Sequence, residues 1–229
     1  MPSPELVIFD CDGVLVDSEI IAARAEAEML AKAGFEITPE EMARDYAGLT
    51  FKDILLRIEK EHGLALQASL IDEAEKLVDH KLAREVRAIE GAAEAIAAVR
   101  TRKCVCSNSS SERLRITLGR TGLLPFFADA LFSAVETPTK KPKPSPDVFL
   151  HAAVAMQATP KRTFVIEDSV HGVAGARAAG MRVVGFTGAS HSQPGHADAL
   201  TEAGAETVIR RLDDLEAVIE ALAEWSEDA

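Results

Sequence analysis

The sequence predicts an α/β fold, a doubly wound parallel sheet with an inserted segment that is entirely helical. Three observations support this prediction: short apolar runs without polar alternation, amphipathic helical patterns between those runs, and one long interval without a strand. Strands of a parallel sheet are apolar throughout because helices cover both faces of the sheet. Alternation of such strands with helices is typical of doubly wound folds.

The apolar runs predict five buried strands. They are Leu6 to Phe9, Cys104 to Cys106, Phe164 to Ile166, Val183 to Phe186 and Thr207 to Ile209. None shows the period-2 alternation of a half-exposed strand, so we expect all of them to lie in the interior of one sheet.

Two helices are predicted from apolar residues at positions i, i+3, i+4 and i+7, one before the strand at 164–166 and one after the strand at 207–209. The two stripes are Phe149, Ala152, Ala153 and Met156, and Leu215, Val218, Ile219 and Leu222. Each stripe would pack on a face of the sheet.

The interval from residue 18 to residue 88 contains no convincing strand. Residues 18–33 are rich in Ala and Glu, residues 51–58 carry a helical apolar stripe, and residues 71–86 are charged and periodic. We therefore expect a helical domain over 18–88 and an α/β domain over 1–17 and 89–229. Gly91 would mark the turn before an Ala-rich helix of the second chain segment.

Composition argues against several classes of partner. The 25 Lys and Arg against 37 Asp and Glu give a net charge of −12, which repels nucleic acids and anionic membranes. The nine Phe, one Trp and one Tyr are scattered rather than interleaved with basic clusters. No segment reaches the roughly 18 apolar residues of a membrane span. We expect no nucleic-acid partner and no membrane insertion.

The cysteines and the start of the chain favour a reducing compartment. Three cysteines cannot all pair, and Cys104 and Cys106 would point to the same face of an apolar strand, so buried reduced thiols are expected. No basic start, long apolar stretch or cleavage site precedes the first strand. The sequence therefore predicts a cytoplasmic protein.

Two carboxylates follow the first predicted strand, at Asp10 and Asp12, and Gly13 comes next. Ligands of open α/β sheets bind beyond the carboxyl ends of the strands, so both side chains can face one crevice. At about 4 Å two such charges repel by ~4 kcal/mol at an effective dielectric constant near 20. An ionised Asp10 and a protonated Asp12 would relieve this repulsion. A simple turn capped by Asp12-Gly13 is the alternative.

Polar residues also follow the second predicted strand, at Ser107 and Asn108. A hydroxyl group and backbone N–H groups at a helix N-terminus can hold an anion. The alternative is an ordinary helix cap, with Ser109 to Glu112 forming a capping box.

Further charged residues complete the pattern. Glu167 and Asp168 end another buried strand, which is costly unless a cation compensates them. Candidate ligands that are mainly carboxylate oxygens favour Mg²⁺ over zinc. Lys143, in a stretch rich in Lys and Pro at 137–146, is expected to balance charge in this acidic site; a solvated loop is the alternative.

Taken in this order, the four segments resemble the haloacid dehalogenase superfamily, within the helical-cap subgroup that contains small-molecule phosphatases and β-phosphoglucomutase. The matching residues are Asp10, Asp12 and Gly13 with Val16, Asp17 and Ser18; Ser107 and Asn108; Lys143, Pro144, Pro146 and Asp147; and Glu167, Asp168, Ser169 and Gly172. The resemblance covers the predicted core from end to end and implies a Rossmann-like core with a helical cap.

The resemblance also implies chemical roles. Asp10 would attack phosphorus and form an aspartyl phosphate, and Asp12 would act as general acid and then general base. Ser107 and Lys143 would hold the phosphoryl oxygens. Gly13 and Asn108 would help to bind phosphate.

The metal site is implied in the same way. Mg²⁺ would be held by the Asp10 carboxylate, the Asp12 backbone carbonyl and Asp168, with Glu167 binding directly or through water. The substrate would be a small phosphorylated metabolite. Glu19, Gly48, Thr50 and Lys52 are the candidate contacts from the helical cap.

Several segments resemble bacterial phosphatases that act on 6-phosphogluconate and similar metabolites. They are Phe9 to Gly13, Val16 to Glu19, Glu61 to Gly63, Ala88 to Ala92 and Leu131 to Ser133. The sequence departs from β-phosphoglucomutase: no arginine follows Gly48, position 22 is alanine rather than histidine, and Ser18 replaces threonine. Mutase activity is the second interpretation. A phospho-acceptor module and an inactive sugar-phosphate binding protein are the non-enzymatic alternatives.

Overall fold

A computed structural model of the protein describes residues 4–46, 50–63, 69–127 and 130–225. The chain divides into two units by its internal contacts, residues 1–17 with 87–229, and residues 18–86. Residues 87 and 88, which the sequence analysis placed in the insert, pair with the α/β unit: Arg87 accepts a hydrogen bond from the Asp17 N–H at 3.0 Å, and Ala88 forms a bridge with Val16.

The α/β unit is built on a parallel sheet that, within the described residues, has six strands. Their bounds are β1 Leu6–Phe9, β2 Arg102–Ser107, β3 Leu131–Ser133, β4 Thr163–Glu167, β5 Arg182–Phe186 and β6 Thr207–Ile209. The spatial order is β3-β2-β1-β4-β5-β6, and every pairing is parallel. The central strand β1 pairs with β2 on one side and with β4 on the other, so the winding reverses at β1. This confirms the predicted fold class.

All five predicted strands are present, and β3 is an addition. It is three residues long, and its first two residues are only half-buried. Unlike β6, which has the same length but reads Thr-Val-Ile, β3 reads Leu-Phe-Ser and has no β-branched residue to mark it as a strand.

The helical unit contains α1 Glu19–Lys32, α2 Pro39–Asp45, α3 Phe51–His62 and α4 Ser69–Glu85. Helix α1 packs against both α2 and α4. The predicted stripe of α3 is buried, and it joins a core whose members include Phe51, Ile54, Leu55, Ile58, Leu30 and Met42. Thr38 caps α2 through a capping box with Glu41, and Gly63 ends α3 in the left-handed conformation.

The remaining helices cover the sheet. They are α5 Ala92–Ala98, α6 Ser111–Arg120, α7 Asp147–Ala155, α8 Val170–Ala178, α9 His196–Ala203 and α10 Leu215–Trp225. Gly91 precedes α5 with a φ of 78°, as its predicted turn requires. The core between β1, β2, β4 and helices α7 and α8 is apolar, and it includes Phe149, Cys104 and Cys106. All three cysteines are buried and free, which agrees with the expected thiols.

The start of α6 corrects one expectation. Ser110, not Ser109, is the N-cap, and its hydroxyl oxygen accepts from the Arg113 N–H at 3.2 Å. The third residue of the helix is therefore Arg113, so the predicted capping box with Glu112 is wrong. Ser109 lies before the helix and makes different contacts, described below.

Among the residues that the structure describes, no helix has both the length and the apolar character needed to cross a bilayer.

Candidate active site

The predicted polar residues meet where the sheet reverses its winding. Asp10 directly follows β1, Ser107 ends β2, and Glu167 ends β4. The Asp10 N–H donates to the Ile166 carbonyl at 3.0 Å, which extends the β1–β4 pairing to the first acidic residue. The carboxyl ends of neighbouring parallel strands lie at one edge of the sheet, so three distant chain segments supply one site.

Lys143 lies at the centre of this site, in the loop before α7. Its Nζ is 2.6 Å from Asp10 Oδ1 and 2.6 Å from Glu167 Oε1, and it also donates to the Cys106 carbonyl at 2.8 Å. The exposed fractions of the three charged side chains are 3%, 9% and 0% for Lys143, Asp10 and Glu167. The Asn108 side chain holds this loop, because its Oδ1 accepts from the Lys143 backbone N–H at 2.8 Å.

Burial and mutual charge shift the proton affinities of these groups. Burial raises the pKa of Asp10 well above its usual value; Lys143 opposes that shift, and the neighbouring carboxylates reinforce it. Burial alone would lower the pKa of Lys143, but the Asp10 and Glu167 carboxylates raise it above its usual value. Lys143 is therefore cationic at neutral pH, and the buried acids gain from any additional positive charge.

Three buried carboxylates fit a divalent cation. Asp10, Glu167 and Asp168 each offer an oxygen, and these oxygens lie within 4.8 Å of one another. Lys143 can compensate only one of three such charges, and uncompensated buried charge is expensive. Hard oxygen donors of this kind suit Mg²⁺ or Ca²⁺ rather than zinc.

Glu167 is held tightly on both of its oxygens. While Oε1 contacts Lys143, Oε2 accepts from the Ser169 N–H at 3.1 Å and from the Ser169 hydroxyl at 2.9 Å. The first turn of α8 leaves no room for a side chain at Gly172, where a Cβ would lie 1.9 Å from the Glu167 carboxyl group. Gly172 thus lets the first turn of α8 approach the acid.

Asp12 is half-buried and is oriented by two hydroxyl groups. Its Oδ2 accepts from Ser109 Oγ at 2.7 Å and from Ser107 Oγ at 3.2 Å. The Ser109 N–H also donates to Ser107 Oγ at 3.0 Å. Sequence reasoning missed Ser109 because the spacing to Glu112 had assigned it to the helix cap.

The backbone conformation of the turn after Asp12, and its close approach to Asp168, require glycine at position 13. Its φ of 77° is unfavourable for other residues, and a Cβ there would lie 1.8 Å from Asp168 Oδ2. Its N–H donates to the Val16 carbonyl at 2.8 Å and so closes the turn after Asp12. The predicted phosphate-binding role of Gly13 stays a prediction.

Two histidines also contact the site, and the sequence analysis did not identify them. His191 Nε2 is 3.1 Å from Asp168 Oδ2, and His196 Nε2 is 2.6 Å from the Asp168 backbone oxygen. Both follow β5, whose carboxyl end lies at the same edge of the sheet as the acids. That position is the signal that could have drawn attention to them.

The candidate cap contacts lie in the helical unit. Glu19 is exposed at the first residue of α1, and Lys52 is exposed on α3. Thr50 caps α3, since its hydroxyl accepts from the Asp53 N–H at 3.2 Å and donates to Asp53 Oδ2 at 2.7 Å. Gly48 lies outside the described residues. Their roles toward a substrate stay predictions.

Comparison with known proteins adds independent information. A family model described as haloacid dehalogenase-like hydrolase matches residues 4–180. The 6-phosphogluconate phosphatase of Escherichia coli K12 is 35% identical over 194 residues, which cover 83% of this chain and 86% of that protein.

Two crystal structures are similar over nearly the whole chain. A conserved haloacid dehalogenase-like protein of unknown function from Agrobacterium tumefaciens C58 is 55% identical, with a TM-score of 0.90 and coverage of 96% of this chain and 100% of that one. A haloacid dehalogenase family hydrolase from Deinococcus radiodurans R1, solved with bound phosphate and sodium, is 33% identical, with a TM-score of 0.80 and coverage of 98% and 97%.

Proposed function

This chain belongs to the haloacid dehalogenase-like hydrolase family and is a phosphatase, and on that basis we propose that it is Mg²⁺-dependent and hydrolyses a small phosphorylated sugar or sugar acid. One observation carries the proposal: Lys143 lies 2.6 Å from both Asp10 and Glu167 inside a buried acidic cluster at the sheet's point of reversal. The E. coli relative named 6-phosphogluconate phosphatase makes that sugar acid the first candidate substrate.

Asp10 is the proposed nucleophile. One of its carboxylate oxygens would form a bond to phosphorus while the bond between phosphorus and the leaving oxygen breaks, which gives an aspartyl phosphate and an alcohol. Lys143 fixes the Asp10 carboxylate through Oδ1 and brings a positive charge to the place where the phosphoryl oxygens would bind. Positioning and charge dominate the stabilisation of such a transition state.

Asp12 is the proposed general acid and base. It would give its proton to the leaving oxygen, and its carboxylate would then take a proton from the water that attacks the phosphoenzyme, which regenerates Asp10. The hydroxyl groups of Ser107 and Ser109 both donate to Asp12 Oδ2 and so orient the second oxygen of the carboxyl group for proton transfer. Such proton transfer typically contributes about 10²–10⁴-fold in rate.

Asp10, Glu167 and Asp168, with the Asp12 backbone carbonyl, would hold Mg²⁺. Bound there, the ion would offset the buried carboxylate charge and stabilise the negative charge of the transferring phosphoryl group. The family relative from Deinococcus radiodurans, whose crystal structure contains phosphate and sodium, supports an anion and a cation in a protein of this kind.

The helical unit is proposed to act as a cap that supplies substrate contacts, with Glu19, Gly48 and Thr50 as candidates. Closure of such a segment excludes water from the reacting groups. We also propose a cytoplasmic location, which the three free cysteines support.

The test is phosphate release by the purified protein from an aryl phosphate and from a panel of sugar and sugar-acid phosphates, with Mg²⁺ and after treatment with EDTA. We expect turnover that requires Mg²⁺ and disappears in Asp10→Asn. Asp198→Asn removes an exposed carboxylate on α9 and is the matched control, which should keep full activity. Failure of the wild-type protein to release phosphate from any substrate would reject the proposal.

A mutase is distinguished in the same experiment. With β-glucose 1-phosphate, a phosphatase releases inorganic phosphate, whereas a mutase accumulates glucose 6-phosphate. Accumulation of glucose 6-phosphate without phosphate release would replace the proposed reaction by phosphoryl transfer within the sugar.

A further inference from the structure

We infer that His191 and His196 are positioning residues that hold Asp168 in place for metal binding. Both lie in or directly after the loop between β5 and α9. The inference rests on the proposed function, because it concerns the Mg²⁺ site of that reaction.

The two imidazole rings contact Asp168 at two different groups. His191 reaches the carboxylate, with Nε2 3.1 Å from Oδ2, and His196 reaches the backbone carbonyl, with Nε2 at 2.6 Å. The Asp168 side chain is 7% exposed and that of His191 is 20% exposed, so this contact is largely shielded from water. Contacts to both the side chain and the main chain fix the position and the rotation of the same carboxylate.

The ring of His196 has a defined orientation. A backbone carbonyl can only accept a hydrogen bond, so Nε2 must carry the proton that is shared with Asp168. The opposite nitrogen, Nδ1, lies 2.9 Å from Ser192 Oγ, which holds the other side of the ring. His191 and His196 are also neighbours, with ring centroids 5.7 Å apart.

The loop is anchored at a second point. Asp17 Oδ1 accepts from the Ser190 hydroxyl at 2.8 Å and from the Ser190 N–H at 3.3 Å. These two bonds tie Ser190, the residue before His191, to the segment that follows Asp10 and Asp12. His191 also lies close to Gly13, where a Cβ would approach the ring at 2.9 Å. The ring therefore has little room to leave Asp168.

This arrangement matches what a metal ligand needs from its surroundings. A carboxylate that ligates a metal is usually hydrogen-bonded in turn, and loss of such a partner costs about 10–100-fold in metal affinity. A role limited to packing makes a different prediction, since the shape of the His191 ring would then matter and its N–H group would not.

Two opposed substitutions separate these roles. His191→Gln retains an N–H donor and loses the ring, whereas His191→Phe retains a ring and loses the donor. The dissociation constant of Mg²⁺ is measured by calorimetric titration of the EDTA-stripped protein. We expect His191→Phe to raise this constant about 10–100-fold and His191→Gln to change it only a few-fold. His196→Phe should resemble His191→Phe. His171→Phe, an exposed histidine on α8, is the matched control and should bind Mg²⁺ like the wild type.

The free energy of unfolding in EDTA is measured for each variant alongside the titration. If the Phe variant of His191 keeps wild-type Mg²⁺ affinity, or if the Gln variant is the weaker binder, the inference is overturned while the phosphatase assignment stands. If the wild type hydrolyses phosphate esters without binding Mg²⁺, the inference is also overturned. If the wild type neither binds Mg²⁺ nor releases phosphate, the proposed function itself fails.

Discussion

Replacement of Lys143 by methionine would leave Asp10 and Glu167 buried without the ammonium group that bridges them. Methionine has a similar length and no charge, so the cavity stays filled. Lys143 Nζ is 2.6 Å from an oxygen of each acid, and all three side chains are at most 9% exposed. The perturbation therefore removes the shared counter-ion of two buried carboxylates.

The magnitude follows from that burial. At this distance and a dielectric constant near 20, each attraction is about 6 kcal/mol, and the desolvation of the charges offsets most of it. Removal of one partner from a buried ion pair typically costs about 3–5 kcal/mol. We expect a loss of this size in the free energy of unfolding of Lys143→Met at pH 7 without metal, against a typical total of about 5–15 kcal/mol.

The loss should also depend on pH. Burial already raises the pKa of Asp10, and removal of Lys143 removes the charge that opposes this shift. The folded variant then binds a proton more tightly than the unfolded chain does, so its stability is higher at low pH and declines as pH rises toward the folded pKa. The deficit relative to the wild type should be smaller at pH 5 than at pH 7.

Urea unfolding followed by circular dichroism in EDTA measures this difference. Lys141→Met removes an exposed lysine two residues earlier and should change stability by less than about 0.5 kcal/mol. The double variant Lys143→Met/Glu167→Gln, which leaves one carboxylate fewer, should recover part of the loss. A deficit below about 1 kcal/mol, the range of surface ion pairs, would refute the buried charge network.

Three further predictions follow from single contacts. Ser109→Ala should lower kcat about 10–100-fold, because it removes the hydroxyl group that donates to Asp12 at 2.7 Å and orients this proposed general acid and base; steady-state kinetics measure it. Gly13→Ala should abolish Mg²⁺ binding in a calorimetric titration, since its methyl group would overlap a carboxylate of the proposed metal site. Hydrogen bonds from Thr159 lower the pKa of Glu5 below its usual value of 4.5. The ionised carboxylate therefore stabilises the wild type relative to Glu5→Gln near neutral pH. Urea titrations should show this advantage disappear as the pH falls below about 4.5 and Glu5 is protonated.

The same chain offers control variants for the first two of these predictions. Ser110→Ala removes the α6 cap and should cost about 1 kcal/mol of stability with unchanged kcat, so kcat separates the two serine variants. Gly34→Ala also places alanine at a positive φ but meets no atom within 4 Å, so it should keep Mg²⁺ binding. Equal kcat values for the two serine variants, metal binding by Gly13→Ala, or a Glu5→Gln difference that does not vary with pH would contradict the respective argument.

The sequence by itself determined the fold class and the acidic residues of the site. Unbroken apolar runs indicate strands covered on both faces, and this inference needs only local pattern. Asp10, Ser107 and Glu167 stand at the ends of such runs, and parallel strands bring their carboxyl ends to one edge. Residues far apart in the chain could therefore be grouped from topology alone.

Only the tertiary structure decided the details that depend on long-range contact. Strand β3 exists because its three residues pair with β2. The spacing to Glu112 favours Ser109 as the helix cap, whereas contact with Asp12 brings Ser109 into the site and Ser110 caps the helix. His191 joins the site because a turn after β5 carries it to Asp168. Local pattern records which face of a segment is apolar, whereas the partner of a polar side chain is set by the packing of distant segments.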